Sequence, residues 1–227
     1  MTDYSIHEGV SKKHTSKTAK KGSNKWLIFW LLVSIVLLVG STLVARKHQL
    51  TGLQARIFYD FNHPQLGSSF TTAAKWVTEG LGSAIPVAIC VVVPLAFKKY
   101  RLAWRFLVTA GGAFVLAYIV KKIVNEPRPI VMLHGHLHQR VVETGPGFPS
   151  GHVTAATALA LTLWFVLPVK WRFISIIWIV AVACSRLYLG VHTPVDIIGG
   201  FACGLLAVCV VRLLPKVIAN PLRLDTV

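Results

Sequence analysis

Apolar and polar positions fall along this chain in long blocks. Residues 1–25 are polar, with Lys12, Lys13, Lys17, Lys20, Lys21 and Lys25 and almost no apolar side chains. A mostly apolar run from Trp26 to Val44 follows, about the length that carries a helix across a bilayer core. Five more such stretches cover about 76–97, 102–121, 152–169, 172–189 and 194–214. Pro86, Pro94 and Pro168 interrupt or end some of them, which membrane helices tolerate better than soluble ones. The pattern predicts an all-α, polytopic membrane protein with six transmembrane helices. Residues 1–25 read as a disordered basic tail and 26–227 as one membrane domain. Leu43, where a cleavable leader would carry a small residue, favours an uncleaved anchor over a signal peptide.

Two segments are not crossings. In 46–75, Leu50, Leu53, Ile57 and Phe61 recur at helical spacing, fitting either an amphipathic helix in the membrane interface or a loop packed on the bundle. In 125–150, Pro127, Pro129, Pro146 and Pro149 forbid a long helix.

Composition supports this reading. The net charge of +16 would suit nucleic acid, but charged residues are only 14% of the chain, against roughly 25% in a soluble domain. With 54% hydrophobic residues, a membrane protein without a nucleic-acid partner remains. Placing the N-terminus inside puts 15 Lys and Arg on the inner side and nine on the outer, so the bias favours an N-in, C-in topology. Cys90, Cys184, Cys203 and Cys209 lie in apolar stretches and read as buried thiols.

The outer cations need a reason. Lys121, Lys122, Glu126 and Arg128 end the third crossing, Pro149-Ser150-Gly151-His152 opens the fourth, Ser185-Arg186 closes the fifth, and His192-Thr193-Pro194-Val195-Asp196 opens the sixth. One helix down and one back separates His152 from Arg186, so these groups converge at one depth. Polar groups at that depth are costly unless paired or functional. Arg128 and Arg186 can fork onto phosphoryl oxygens, with Lys121 as a point charge. Ser150 and Gly151 offer N–H donors at a helix start. One histidine can attack phosphorus while the other protonates the leaving oxygen. Asp196 can hold the tautomer of His192. Each has a plainer reading: Thr193-Pro194-Val195-Asp196 is also a helix start, Ser150 an N-cap and Lys121 a snorkelling cation. Glu126 and Glu143 could tune these cations. His134, His136 and His138 read as a surface loop in preference to a metal site.

Lys121-x6-Arg128-Pro129, Pro149-Ser150-Gly151-His152 and Ser185-Arg186-x5-His192-x3-Asp196 together resemble the three-part signature of the type 2 phosphatidic acid phosphatase superfamily, with Gly190 also where that family has glycine. The resemblance covers about 76–214. It implies a nucleophile at His192 oriented by Asp196, a general acid and base at His152, and a phosphate cradle of Lys121, Arg128, Ser150, Gly151 and Arg186. It implies no metal or other cofactor. The expected substrate is a lipid phosphate met at the outer face of a plasma membrane: a polyprenyl diphosphate, phosphatidylglycerophosphate or phosphatidic acid, the first preferred. A phosphotransferase using the same phosphohistidine and a six-helix anion transporter are the alternatives. Nothing in the chain speaks to oligomeric state.

Overall fold

The computed structural model describes residues 20–50, 52–134 and 136–214, whose regular elements are all helical, without strands. Most of the 1–25 tail lies outside these residues. The first helix, α1 (Lys20–Ala45), begins ahead of the apolar run at Trp26. It is followed by α2 (Gly52–Asn62), α3 (Gly67–Gly82), α4 (Ala84–Ala96), α5 (Tyr100–Val124) and the single turn α6 (Pro129–Met132). Then come α7 (Gly151–Trp164), a 3-10 turn (Val169–Trp171), α8 (Phe173–Tyr188) and α9 (Pro194–Leu213).

Four helical stretches among the described residues are long and apolar enough to cross a membrane: Lys25–Ala45, Tyr100–Met132, Val169–Tyr188 and Pro194–Leu213. A fifth results if α3 and α4, bent by 45° at their junction, count as one span. The bend has local causes. Ser83 is extended and its Oγ accepts from Ile85 N, 3.1 Å, capping α4. Pro86 sits in the first turn of α4, where its missing N–H costs nothing. At the end of α3 the Leu81 carbonyl is taken by Trp178 Nε1 of α8, 2.7 Å. The stretch 76–97 is thus two helices, and α3 begins nine residues before it.

The stretch 152–169 also differs. α7 ends at Trp164, because Pro168 disfavours helix in the residues before it. This short helix is the core of the bundle, walled by α3, α5, α8 and α9. Val153, Ala155, Ala156, Ala158, Leu159 and Ala160 are fully enclosed. Gly200 and Gly204 allow α9 to lie against it: a Cβ at Gly200 would stand 2.6 Å from the Ser150 carbonyl, and one at Gly204 2.6 Å from Thr157 Cβ. α1 packs along α9 and otherwise exposes Trp26, Phe29, Leu32, Val36 and Leu43, a surface suited to lipid.

Segment 46–75 contains a helix, α2, but it buries Phe58 and Asn62 and leaves Leu53 and Phe61 outward. Asn62 anchors the loop after α6: its Nδ2 donates to the His138 carbonyl, 2.9 Å, and its Oδ1 accepts from His138 N, 2.9 Å. Arg140 adds bonds to the carbonyls of Asn62, 2.9 Å, and Pro64, 3.0 Å, and covers the Tyr188 ring. This cation is structural. His138 spends its backbone here, and no group of three or more His, Cys, Asp or Glu among the described residues has a metal-holding arrangement.

Candidate active site

Four chain segments meet at one end of the bundle. Asn125, in the left-handed conformation at φ 48°, ends α5 and turns the chain back over it. Lys121, on the last turn, donates to the carbonyls of Pro146, 2.8 Å, and Gly147, 3.2 Å. Arg128 precedes α6. Its Nε donates to the Gly145 carbonyl, 3.1 Å, and its Nη1 to that of Val191, 3.0 Å, beside His192. Both cations therefore brace the 144–147 loop and stand within electrostatic reach of Arg186.

Arg186 is fully buried on α8. Its Nη1 donates to Thr78 Oγ1 of α3, 3.2 Å, and its Nη2 pairs with Glu143 Oε1. The other oxygen of Glu143 pairs with Arg128 Nη1 at 2.9 Å. One carboxylate thus bridges two guanidinium groups, the geometry in which paired arginines hold a two-oxygen anion. Burial would push the Glu143 acid up, but Arg186, then His192 and Arg128, outweigh it and hold it at about 2. Arg186 Nε and Ser150 Oγ are buried donors without a partner among the described residues.

Gly190, at φ 73°, makes the turn from α8 to His192, and a Cβ there would stand 2.7 Å from Asn62 Nδ2 and the His138 carbonyl. His192 is enclosed, and its Nδ1 lies 3.2 Å from Asp196 Oδ2. The same Oδ2 accepts from Thr193 N, 2.8 Å, while Thr193 Oγ1 accepts from Asp196 N, 3.2 Å. Asp196 therefore both closes a capping box and faces the histidine. A carboxylate that accepts leaves the proton on Nδ1 and a lone pair on Nε2. Burial lowers His192 from its ordinary 6.5 to about 4, although Asp196 pulls it upward, so the ring is neutral near pH 7.

Ser150 N donates to the Asp196 carbonyl, 3.0 Å, tying the start of α7 to the start of α9. Gly151 and His152 form the first turn of α7, whose amides are open to an anion. His152 Nε2 lies 3.3 Å from Glu79 Oε1 on α3, within electrostatic reach of Arg186 and Glu143. Gly82 makes this approach possible, since a Cβ there would meet His152 Cβ and its carbonyl at 3.0 Å.

All eight residues singled out from sequence, Lys121, Arg128, Ser150, Gly151, His152, Arg186, His192 and Asp196, lie at this one end. Of their immediate partners, Glu143 was read from sequence only as a group that could tune the cations, and Thr78 and Glu79 were not singled out. A family model for the PAP2 superfamily matches residues 102–218, just over half of the chain. The chain belongs to the PAP2 superfamily. An undecaprenyl-diphosphatase of Sulfolobus acidocaldarius is 28% identical over 182 residues, 78% of this PAP2 chain and 85% of that protein. Among solved structures, LpxE of Aquifex aeolicus superposes with a TM-score of 0.64 at 21% identity, covering 70% of this chain and 94% of that one. A transmembrane PAP2-type phosphatidylglycerolphosphate phosphatase of Bacillus subtilis gives 0.56 at 22% identity, covering 83% and 94%. At these identities the structural likeness speaks for the PAP2 fold.

Proposed function

We propose that this PAP2 protein is a membrane lipid phosphatase that works through a phosphohistidine at His192. The observation that carries the reading is the convergence of Arg128 and Arg186 on one carboxylate beside a neutral, Asp196-oriented imidazole. A phosphoryl group takes the place of the Glu143 carboxylate between the two arginines. Lys121, Ser150 Oγ and the Gly151 amide complete the cradle and stabilise the charge of the five-coordinate state. His192 Nε2 attacks phosphorus and the bond to the leaving oxygen breaks, with His152 supplying the proton. His152 then takes a proton from water, whose oxygen attacks phosphorus and breaks the P–N bond. Inorganic phosphate leaves and both histidines are restored. Glu79 stabilises the protonated form of His152.

The substrate class follows from the site's position at one end of a bundle of apolar helices. A polyprenyl diphosphate is our first choice among lipid phosphates. Its support is the undecaprenyl-diphosphatase whose match spans most of both chains. We also infer six crossings, with α3–α4 as one bent span and α7 as a short one. Fourteen residues reach about 21 Å of a roughly 30 Å core. α7 is surrounded by protein, where the missing length need not meet lipid. The basic 1–25 tail and both termini then face the cytoplasm, and the site faces outward across a plasma membrane.

The test is phosphate release by the purified chain in detergent from a polyprenyl diphosphate, phosphatidylglycerophosphate and phosphatidic acid. Release should survive EDTA, be inhibited by vanadate, and be lost in folded His192→Ala. Loss with EDTA would sink the metal-free mechanism. A phosphorylated acceptor in place of free phosphate would make the protein a transferase, and anion flux that survives His192→Ala a transporter.

A further inference from the structure

Glu126 has no place in the three-part signature, yet it is only 4% exposed. It lies between the left-handed Asn125 and Pro127, and its carbonyl accepts from Gly147 N at 2.8 Å. Its carboxyl lies beside that of Asp196, close enough for the two groups to act directly on each other. Glu126 Oε2 and Asp196 Oδ1 are both buried, and no N–H or O–H of another described residue reaches either one. The other oxygen of Asp196, Oδ2, already serves Thr193 N and His192 Nδ1.

Two carboxyl groups this close need a proton between them, since an ionised carboxylate only accepts and two of them repel. The neighbours decide where it sits. Asp196 faces the Thr193 amide and His192 Nδ1, both of which favour its ionised form. Lys121 is the cation acting on Glu126, and its ammonium is committed to the carbonyls of Pro146 and Gly147. Val124, two residues before Glu126, and Val195, beside Asp196, pack with Ala45 of α1 and Phe148 in an apolar cluster. The proton belongs to Glu126.

We propose that Glu126 is a positioning residue: its carboxylic acid donates to Asp196 Oδ1 and so holds Oδ2 on His192 Nδ1. The pair then carries one negative charge, set against an imidazole that gains positive character as the P–N bond forms. With Glu126 ionised, the charge would double and repulsion would turn Asp196 off the ring. No proton leaves Glu126 in the cycle; the transferred one is carried by His152. The catalytic consequence rests on His192 being the nucleophile, whereas the shared proton does not.

Infrared spectroscopy of the full chain in detergent at neutral pH tests the proton directly. Wild type should show the C=O band of a buried protonated carboxyl, shifted in D2O, and Glu126→Gln should lack it. Absence of the band in wild type, or its persistence in Glu126→Gln, overturns the proposal. The band needs no turnover, so this result stands apart from whether the chain is a phosphatase. In kinetics, Glu126→Gln, whose amide can still donate to Asp196, should keep kcat near wild type. Glu126→Leu should lower kcat roughly 10- to 100-fold at unchanged KM, the scale typical of partners that orient a functional histidine. Equal loss of kcat in both variants, or an effect confined to KM, also overturns it.

Discussion

His192 is a histidine that burial keeps neutral. Its ordinary 6.5 is lowered to about 4, against the pull of Asp196. An unfolded chain takes up this proton near pH 6.5, while the folded chain refuses it until about 4. Stability therefore falls as pH drops through that window, by about 3 kcal/mol for the whole shift. Glu143 acts in the same direction lower down: burial raises it, Arg186 and Arg128 overcome that, and the net value is about 2. Its contribution is present above the ordinary 4.5 and is lost as pH falls through 2. The thermal midpoint in detergent should be flat just above pH 6.5 and fall between 6.5 and 4. His192→Asn should remove that upper part of the slope and leave the part below it. A slope that survives in the Asn variant would assign the titration elsewhere.

Among elements, the pairing of α7 with α9 brings Ser150 and Asp196 together. Gly200 and Gly204 stand one helical turn apart on α9 and face α7, a small-residue seam of the kind that lets membrane helices approach closely. Gly200→Ala would set a methyl 2.6 Å from the Ser150 carbonyl, the atom that also accepts from Thr154 N. We expect a cost of about 1–3 kcal/mol, read as a lower thermal midpoint, together with loss of turnover as α7 is pushed from Asp196. Gly111→Ala, with open space around its Cβ, is the control and should change neither. Equal behaviour of the two variants would show that the seam does not position the site. The seam also marks the limit of hydropathy as evidence. Apolar runs located the helices, because lipid and core demand the same residue types. They did not distinguish α7, which is apolar because protein surrounds it, from α1, which is apolar where lipid would. Nor did they register Ser83, where one run becomes two helices. Spacing placed His192 and Asp196 together because Thr193-Pro194-Val195-Asp196 is a helix start, whose acid at the third helical position faces back toward the residue before the cap. An arginine in an apolar stretch announced at Arg186 that a partner was needed. Which partner depended on the fold closing a loop 43 residues away, so Glu143 could be named as a neighbour of the cations but not as the group that bridges Arg186 and Arg128.

For the whole molecule, the distribution of charge argues the orientation. Asp60, Glu79, Glu126, Glu143 and Asp196, the acids among the described residues, all belong to segments at the His192 end. Lys98, Lys99, Arg101, Arg105, Lys170, Arg172 and Arg212 belong to the opposite end, where α4 meets α5, α7 meets α8, and α9 finishes. An end rich in cations and lacking described acids is the one retained in the cytoplasm. Of the nine cations at the acidic end, Lys121, Arg128 and Arg186 stand at the site and Arg140 in the clamp with Asn62, which leaves Arg46, Lys47, Arg56, Lys75 and Lys122, fewer than the seven named at the opposite end. The proposed orientation therefore does not conflict with their number. Sealed right-side-out membrane vesicles containing the chain should release phosphate from an impermeant short-chain lipid phosphate added outside. An N-terminal tag should resist external protease in the same vesicles. Inside-out vesicles should show the reverse: a digestible tag, and no release until detergent opens them. Hydrolysis confined to inside-out vesicles would place the cradle on the cytoplasmic side. The cation-rich end would then face outward, and a force other than loop charge would have to hold the bundle in the membrane that way round.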